Sequence, residues 1–213
     1  MDSMRDYENK YINQGAKYIA GCDEAGRGPI AGPLVVATCI LPNDFNDERI
    51  NDSKKLTAKK RELLYDVIIQ NALDYQIILF DEKQVDELNV YQASKQGMIK
   101  GVQQLKIKPD FVLTDAMPLS QEIPHESIIK GDAKSITIAA ASILAKVTRD
   151  RIMDEYDLLY PEYGFKKHKG YCTKQHKEAL FKYGVLDIHR RTFEPVKSLC
   201  SKQLHFDFED EDK

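Results

Sequence analysis

Apolar and polar positions follow two different periods along this chain. Residues 18–23 form a short apolar stretch that stops at two acids, Asp23 and Glu24, and residues 34–41 form a β-branched-rich run bounded by Pro33 and Pro42. Both read as strands. The Gly- and Pro-dense segment 26–33 between them suits a hairpin-like connection of neighbouring strands. Helical periodicity follows over 58–71 through Leu63, Leu64, Val67 and Ile68, with Thr57 as N-cap. A third strand is expected over 75–80, one or two helices over 85–105 with Asn89 as a break, and short strands at 111–114 and 127–129. From Ser135 to about Tyr160 the pattern is strongly helical, and the small residues Ala139 to Ser142 would let that helix approach a sheet closely. A helix over 173–183 and a short one starting at Glu194 complete the order. Strands gather in the first half and helices in the second. That order predicts one α/β domain, a mixed sheet flanked by helices with a helical C-terminal region. The domain is expected over 17–200, with 201–213 an acidic, disordered tail.

Composition changes this picture little: 42% apolar and 31% charged residues belong to an ordinary folded chain rather than a disordered one. Charge changes it more. The formal total is −3, yet the last eight residues carry five acids and one Lys, so the remainder sums to +1. Between Gly164 and Arg191 stand eight Lys or Arg, among them Lys166 and Lys169, against two acids. A local basic zone on a near-neutral body fits a polyanionic ligand. No apolar run approaches the ~18–20 residues needed to cross a bilayer, and residues 1–10 are polar, so no membrane or secretion role is expected. Cys22, Cys39, Cys172 and Cys200 show no CxxC pair and no metal-finger spacing. Thiols in a reducing compartment, and so a cytoplasmic protein, are expected.

The chemistry is carried by carboxylates. Asp23 and Glu24 end a strand just before Gly26-Arg27-Gly28-Pro29, Asp115 ends the apolar run 111–114, and Asp132 follows Lys130-Gly131 ahead of the long helix. Successive strand residues point to opposite faces, so one acid of the first pair aims into a site while the other leans on its rim. Each acid alone is a common loop residue, and Asp132 also suits a helix N-terminus. Together they form a pattern, because clustered carboxylates repel and raise one another's pKa unless a cation sits among them. An oxygen-only donor set selects a hard divalent ion, Mg²⁺ or Mn²⁺. Two such ions ~3.5–4 Å apart suit phosphodiester hydrolysis. Spacing alone leaves open whether the strand ends converge.

The string Asp23-Glu24-Ala25-Gly26-Arg27-Gly28-Pro29 resembles the signature of ribonuclease HII, the type 2 bacterial ribonuclease H. The resemblance continues in order through Asp52-Ser53-Lys54-Lys55-Leu56, Lys130-Gly131-Asp132, the run from Ala139 to Asp150, His168-Lys169-Gly170-Tyr171 and the run from His189 to Lys197. It covers roughly residues 17–198. It implies a ribonuclease H-like fold and divalent-metal-dependent cleavage of RNA in RNA–DNA hybrids. It also implies cleavage of the bond 5′ to a ribonucleotide embedded in duplex DNA, leaving a 3′-hydroxyl and a 5′-phosphate. Carried over, the metal-binding and catalytic quartet falls on Asp23, Glu24, Asp115 and Asp132. The Gly26-Arg27-Gly28 loop, with Tyr171, is implied to sense the ribose 2′-hydroxyl. Lys54, Lys55, Ser142, Lys146, Arg190 and Arg191 are candidates for phosphate contacts, about half of them expected to be plain surface charges. His168, His176 and His189 lack zinc spacing and read as structural or phosphate-side residues.

Two features depart from the family pattern. Cys172 stands where the family usually has Pro, which would loosen the loop holding Tyr171. The segment from Gln203 to Phe208 looks loosely like peptides that bind replication sliding clamps, though an acidic tail with chance aromatics is the reading composition favours. The rival family, ribonuclease HIII, is discounted because Gly-Arg-Gly is intact and about 16 residues precede the first strand. A non-catalytic hybrid-binding module would gain nothing from four acids beside phosphates. A transposase-like enzyme shares the acids but joins strands. A monomer is expected.

Overall fold

The computed structural model describes residues 3–201. Its centre is a sheet in the order β3-β2-β1-β4-β5, formed by β1 (Ile19–Ala25), β2 (Leu34–Ile40), β3 (Asp74–Phe80), β4 (Phe111–Asp115) and β5 (His125–Ile128). β1, β2 and β3 are antiparallel neighbours, joined at their first turn by the Gly- and Pro-dense loop 26–33. β4 runs parallel to β1, and β5 parallel to β4. All seven residues of β2 are buried, which explains a continuous apolar run where a half-exposed strand would alternate.

Helices cover both faces. α2 (Ala58–Asn71) starts at Thr57, whose hydroxyl accepts from Lys60 N–H at 3.3 Å. The expected break at Asn89 separates α3 (Glu82–Leu88) from α4 (Val90–Gln104); Asn89 has φ 60° and its side chain caps Tyr91 and Gln92. α5 (Ile136–Leu159) is capped by Ser135 and lies across β1 and β2. Gly21 permits that approach. A Cβ there would sit 2.2 Å from the Thr137 carbonyl carbon, so any side chain would push α5 off the sheet. Val35, Ala37 and Cys39 of β2 then pack with Leu64, Ile68, Ala140, Ile143 and Leu144, while Val36 and Phe80 pack with Met98 on the other side. α6 (Phe165–His168) and α7 (Lys174–Tyr183) form the C-terminal region, and residues 196–201 are helical.

One element escapes the sequence pattern. α1 (Asp6–Ile12) packs on the core, so the boundary expected at residue 17 falls short of the folded body. Tyr11 stacks on Phe111, and the Met4 carbonyl accepts from Ile136 N–H at 2.7 Å. Buried Glu8 accepts from Ser135 Oγ at 2.6 Å and from the Thr137 hydroxyl at 2.8 Å. An acid at the amino end of α5 suits the helix dipole and steadies the turn that carries Asp132. Among the described residues no helix is long and apolar enough to cross a membrane.

Candidate active site

Parallel pairing of β1 and β4 places Cys22 beside Thr114, so Asp23 and Asp115 emerge side by side at one end of the sheet. Asp132 reaches the same place on a single 3-10 turn, 131–133, just after β5. Gly131 N–H donates to Asp115 Oδ1 at 2.8 Å, tying the two acids' segments together. Asp23, Asp115 and Asp132 can each bring one oxygen within 4.8 Å of the others. Glu24 lies outside this trio. As its neighbour's opposite on a strand it faces the rim, where Oε1 meets Arg27 at 3.3 Å and the buried Oε2 has no hydrogen-bond partner.

The trio's electrostatics are unfavourable as they stand. Burial pushes the Asp23 carboxyl well above its usual range, and the charges of Glu24 and Asp115 push the same way. A hydrogen bond from Ser142 opposes them. Asp132 is raised by burial and then by Asp115 and Asp52. Glu24 is raised by burial against the pull of Arg27. Lys54, 3.6 Å from Asp132, is the nearest cation. Its partial burial works against its charge, but Asp132 and Asp23 together hold it above its ordinary value. Three crowded carboxylates and one orphaned carboxylate oxygen fit a hard divalent cation, whose charge would relieve this repulsion.

Beside the acids opens a cleft lined by Glu24, Gly26, Arg27, Gly28, Lys54, Ser142, Lys146 and Tyr171. Gly26 has φ 103°, and a Cβ on it would lie 2.4 Å from Arg149 Nε. Gly28 faces the Tyr171 ring across the cleft, where a Cβ would make an ordinary contact at 3.4 Å. Tyr171 is half exposed and forms the opposite lip. Lys146 donates to Asp150 at 2.5 Å; burial lowers its pKa while Asp150 opposes that shift.

Three of the basic candidates are not in the cleft. Lys55 follows Lys54 on a tight turn and lines a separate groove with Leu56 and Lys59. Arg191 is exposed beside Asp187. Arg190 is fully buried, its guanidinium donating to the carbonyls of Gly32 at 2.8 Å and Arg27 at 3.3 Å. It supports the loop from below and, being fully buried, presents no donor to a phosphate, which corrects the expected contact. Lys169 is likewise engaged, with Asp154 and the Asp150 carbonyl.

Sequence reading passed over two residues that complete the site. Ser53 Oγ lies 2.8 Å from Ser142 Oγ, extending the hydroxyl contact behind Asp23. Arg149 donates to the carbonyls of Pro33, Ala31 and Lys169, clamping the glycine loop to the segment before Tyr171. Burial lowers both Arg149 and Arg190 to about 10. Both residues stand inside blocks that carry the resemblance, beside acids and lysines whose charge is the stronger signal in sequence.

Comparison with known proteins fits this geometry. The profile of the family described as Ribonuclease HII matches residues 20–196. Ribonuclease HII of Bacillus cytotoxicus is 53% identical over 201 residues, covering 94% of this chain and 78% of the relative. The ribonuclease H2 of Pyrococcus horikoshii superposes with a TM-score of 0.76 at 32% identity, over 87% of this chain and 98% of its own. Ribonuclease HII of Archaeoglobus fulgidus, solved in complex with PCNA, gives a TM-score of 0.70 at 25% identity, over 83% and 95%. The expected ribonuclease H-like α/β fold is thereby borne out, and with it a metal-dependent endonuclease activity on RNA–DNA hybrids. The chain belongs to the ribonuclease HII family.

Proposed function

We propose that Asp23, Asp115 and Asp132 are the metal-binding and catalytic carboxylates of this nuclease, with Glu24 completing the set from the rim. The observation that carries this is their convergence, from three separate segments, at one end of the sheet. The ion is Mg²⁺ or Mn²⁺, with two bound when substrate is present. Bound there, such cations stabilise the attacking and leaving oxygens of the phosphodiester. Lys54, Lys146 and Arg27 hold the backbone phosphates, and Ser142 with Ser53 steadies Asp23. The Gly26-Arg27-Gly28 backbone and Tyr171 close on a ribose from two sides and read its 2′-hydroxyl. The substrates are RNA–DNA hybrids and duplex DNA carrying an embedded ribonucleotide. The enzyme acts in the cytoplasm, as its four free thiols suggest, and as a monomer.

A second contact is proposed with a sliding clamp through the segment from Gln203 to Phe208. That segment lies outside the described residues, and the PCNA complex of the archaeal relative is its support.

The test is a labelled DNA duplex containing one ribonucleotide, incubated with each metal. The expected result is a single cut 5′ to the ribonucleotide leaving a 3′-hydroxyl, and none in chelator. Strand joining would indicate a transposase-like reaction instead, and binding without cleavage a mere hybrid-binding module.

The basic zone yields a further expected outcome. Lys166 and Lys167 are exposed, whereas Lys169 is tied to Asp154. Reversing the first two to Glu should flatten the log–log salt dependence of binding by up to about 1.8, at roughly 0.9 for each phosphate no longer neutralised. An unchanged slope would place the zone away from the nucleic acid.

A further inference from the structure

Three buried histidines stand outside the set that lines the cleft: His168, His176 and His189. Their hydrogen bonds admit one arrangement of protons. Leu186 N–H donates to His189 Nδ1 at 2.9 Å, so the proton of a neutral His189 sits on Nε2. That nitrogen faces His176 Nε2 at 3.1 Å, which must accept. His176 therefore carries its proton on Nδ1 and donates it to the Tyr171 carbonyl at 2.9 Å. A carbonyl can only accept, so the far end of the chain demands the same assignment.

The neutral state is what this burial favours. Desolvation, with the neighbouring histidines adding to it, lowers His176 and His189 to about 4. Tyr163 and Phe165 pack around the pair, and His168 stacks on His176 with ring centroids 4.4 Å apart. His168 is satisfied separately, through the Tyr163 carbonyl and Gly170 N–H.

Both ends of this chain reach the ribose-reading elements. His189 pairs through its backbone with Ala31 in the glycine loop, and Arg190 N–H donates to the Ile30 carbonyl. His176 grips Tyr171. We infer that His176 and His189 are positioning residues that set Tyr171 against the Gly26-Arg27-Gly28 loop through this directed hydrogen-bond relay. The inference rests on the reading of Tyr171 as the ribose-sensing residue. It goes beyond that reading by naming what fixes the distance between the two lips. A relay suits the task because a single hydrogen bond at a backbone carbonyl leaves the ring free to pack on a sugar. It also explains how Tyr171 stays placed without the rigid residue that the family usually has at position 172.

The test uses the full chain and two substrates, a duplex with one embedded ribonucleotide and a long RNA–DNA hybrid. His176→Gln places its amide at the Nε2 end and leaves the Tyr171 carbonyl only the Thr173 N–H, at 2.8 Å, as a donor, whereas His176→Asn restores a second donor near Nδ1. His176→Gln is expected to lower kcat on the single ribonucleotide roughly fivefold to tenfold, the scale of one lost hydrogen bond, with KM nearly unchanged. The loss on the long hybrid should be smaller, and His176→Asn should recover most of it. Tyr171→Ala, run in parallel, separates the two levels. If it cleaves both substrates at the parent rate, the ribose-sensing reading fails. If it loses single-ribonucleotide cleavage while His176→Gln keeps the parent rate, the relay alone is overturned. An equal loss on both substrates with no recovery in His176→Asn would make His176 a packing residue and also overturn it. Nitrogen-15 NMR of the parent protein decides the matter should a variant not fold. Protons on His176 Nδ1 and His189 Nε2 are expected, and a proton on His176 Nε2 contradicts the relay.

Discussion

Replacing Asp23 by asparagine is expected to lower turnover on the order of a thousandfold, about 4 kcal/mol of barrier, while leaving the fold intact. The amide keeps the shape of the carboxylate, and its carbonyl can still accept the Glu24 N–H that Asp23 Oδ1 holds at 2.7 Å. It removes the charge on which cation binding depends. Asp115→Asn should behave alike, retaining the bond from Gly131 N–H. Asp132→Asn should leave more activity if that acid serves only the metal nearer the leaving group.

The same change should not destabilise the metal-free protein. Asp23 is buried against two other carboxylates that raise its pKa, so the folded chain holds that proton more tightly than the unfolded one. Native protein then binds more protons than unfolded protein at pH values above the ordinary carboxylate range, and stability falls as pH rises through that window. Asp23→Asn abolishes this loss, and its metal-free melting temperature near neutral pH should equal or exceed that of the parent. Added Mn²⁺ should raise the melting temperature of the parent and much less that of the variant, since only the parent binds it well. Melting curves in chelator and in Mn²⁺, alongside initial rates, check all three statements. Parent-like turnover in Asp23→Asn or Asp115→Asn would end the assignment.

The second large effect concerns Tyr171. Tyr171→Phe keeps the ring and should lose about one hydrogen bond, on the order of 1 kcal/mol, or several-fold in rate. Tyr171→Ala removes the ring from the lip facing Gly28 as well. Its cost should be far larger and fall chiefly on kcat, because a misplaced sugar also misplaces the scissile phosphate relative to the carboxylates. The loss should be greatest for a single embedded ribonucleotide, since a long hybrid offers neighbouring 2′-hydroxyls and other registers. Cys172→Pro is the companion change and should raise activity slightly by stiffening the loop. Rates on both substrates, taken at saturating metal, give the comparison. Equal rates for Tyr171→Ala and parent would move recognition elsewhere.

Much of this arrangement was legible in the residues, for reasons that also explain what was not. Asp23 and Asp115 could be found because each ends an apolar run, and a strand's end is where a polar side chain first meets solvent. That the two runs pair in parallel is a tertiary fact, and no local pattern encodes it. The alternation of a strand anticipated that one acid of the Asp23–Glu24 pair would point inward and the other lean on the rim, but not which of the two would do so.

Basic residues were the least legible. Lys54 and Lys55 are chemically identical neighbours, yet a single tight turn sends one to the acids and the other to a separate groove. Arg190 resembles a surface charge in sequence, but the 26–33 loop offers carbonyls that nothing else satisfies, and those carbonyls draw it inside. α1 was hidden because its buried face is made of Glu8, Tyr7 and Tyr11, a set whose polar atoms mask an amphipathic pattern. The histidine relay was invisible for a similar cause. Histidines 13 residues apart meet only because α7 and the segment after it fold back on each other.

Metal binding by the three carboxylates is tested most directly by anomalous diffraction from crystals of the chain soaked in Mn²⁺. The predicted result is a Mn²⁺ peak bounded by carboxylate oxygens of Asp23, Asp115 and Asp132, with that peak lost in Asp23→Asn crystals. A Mn²⁺ peak held by other side chains, with these three carboxylates left empty at saturating metal, would contradict it.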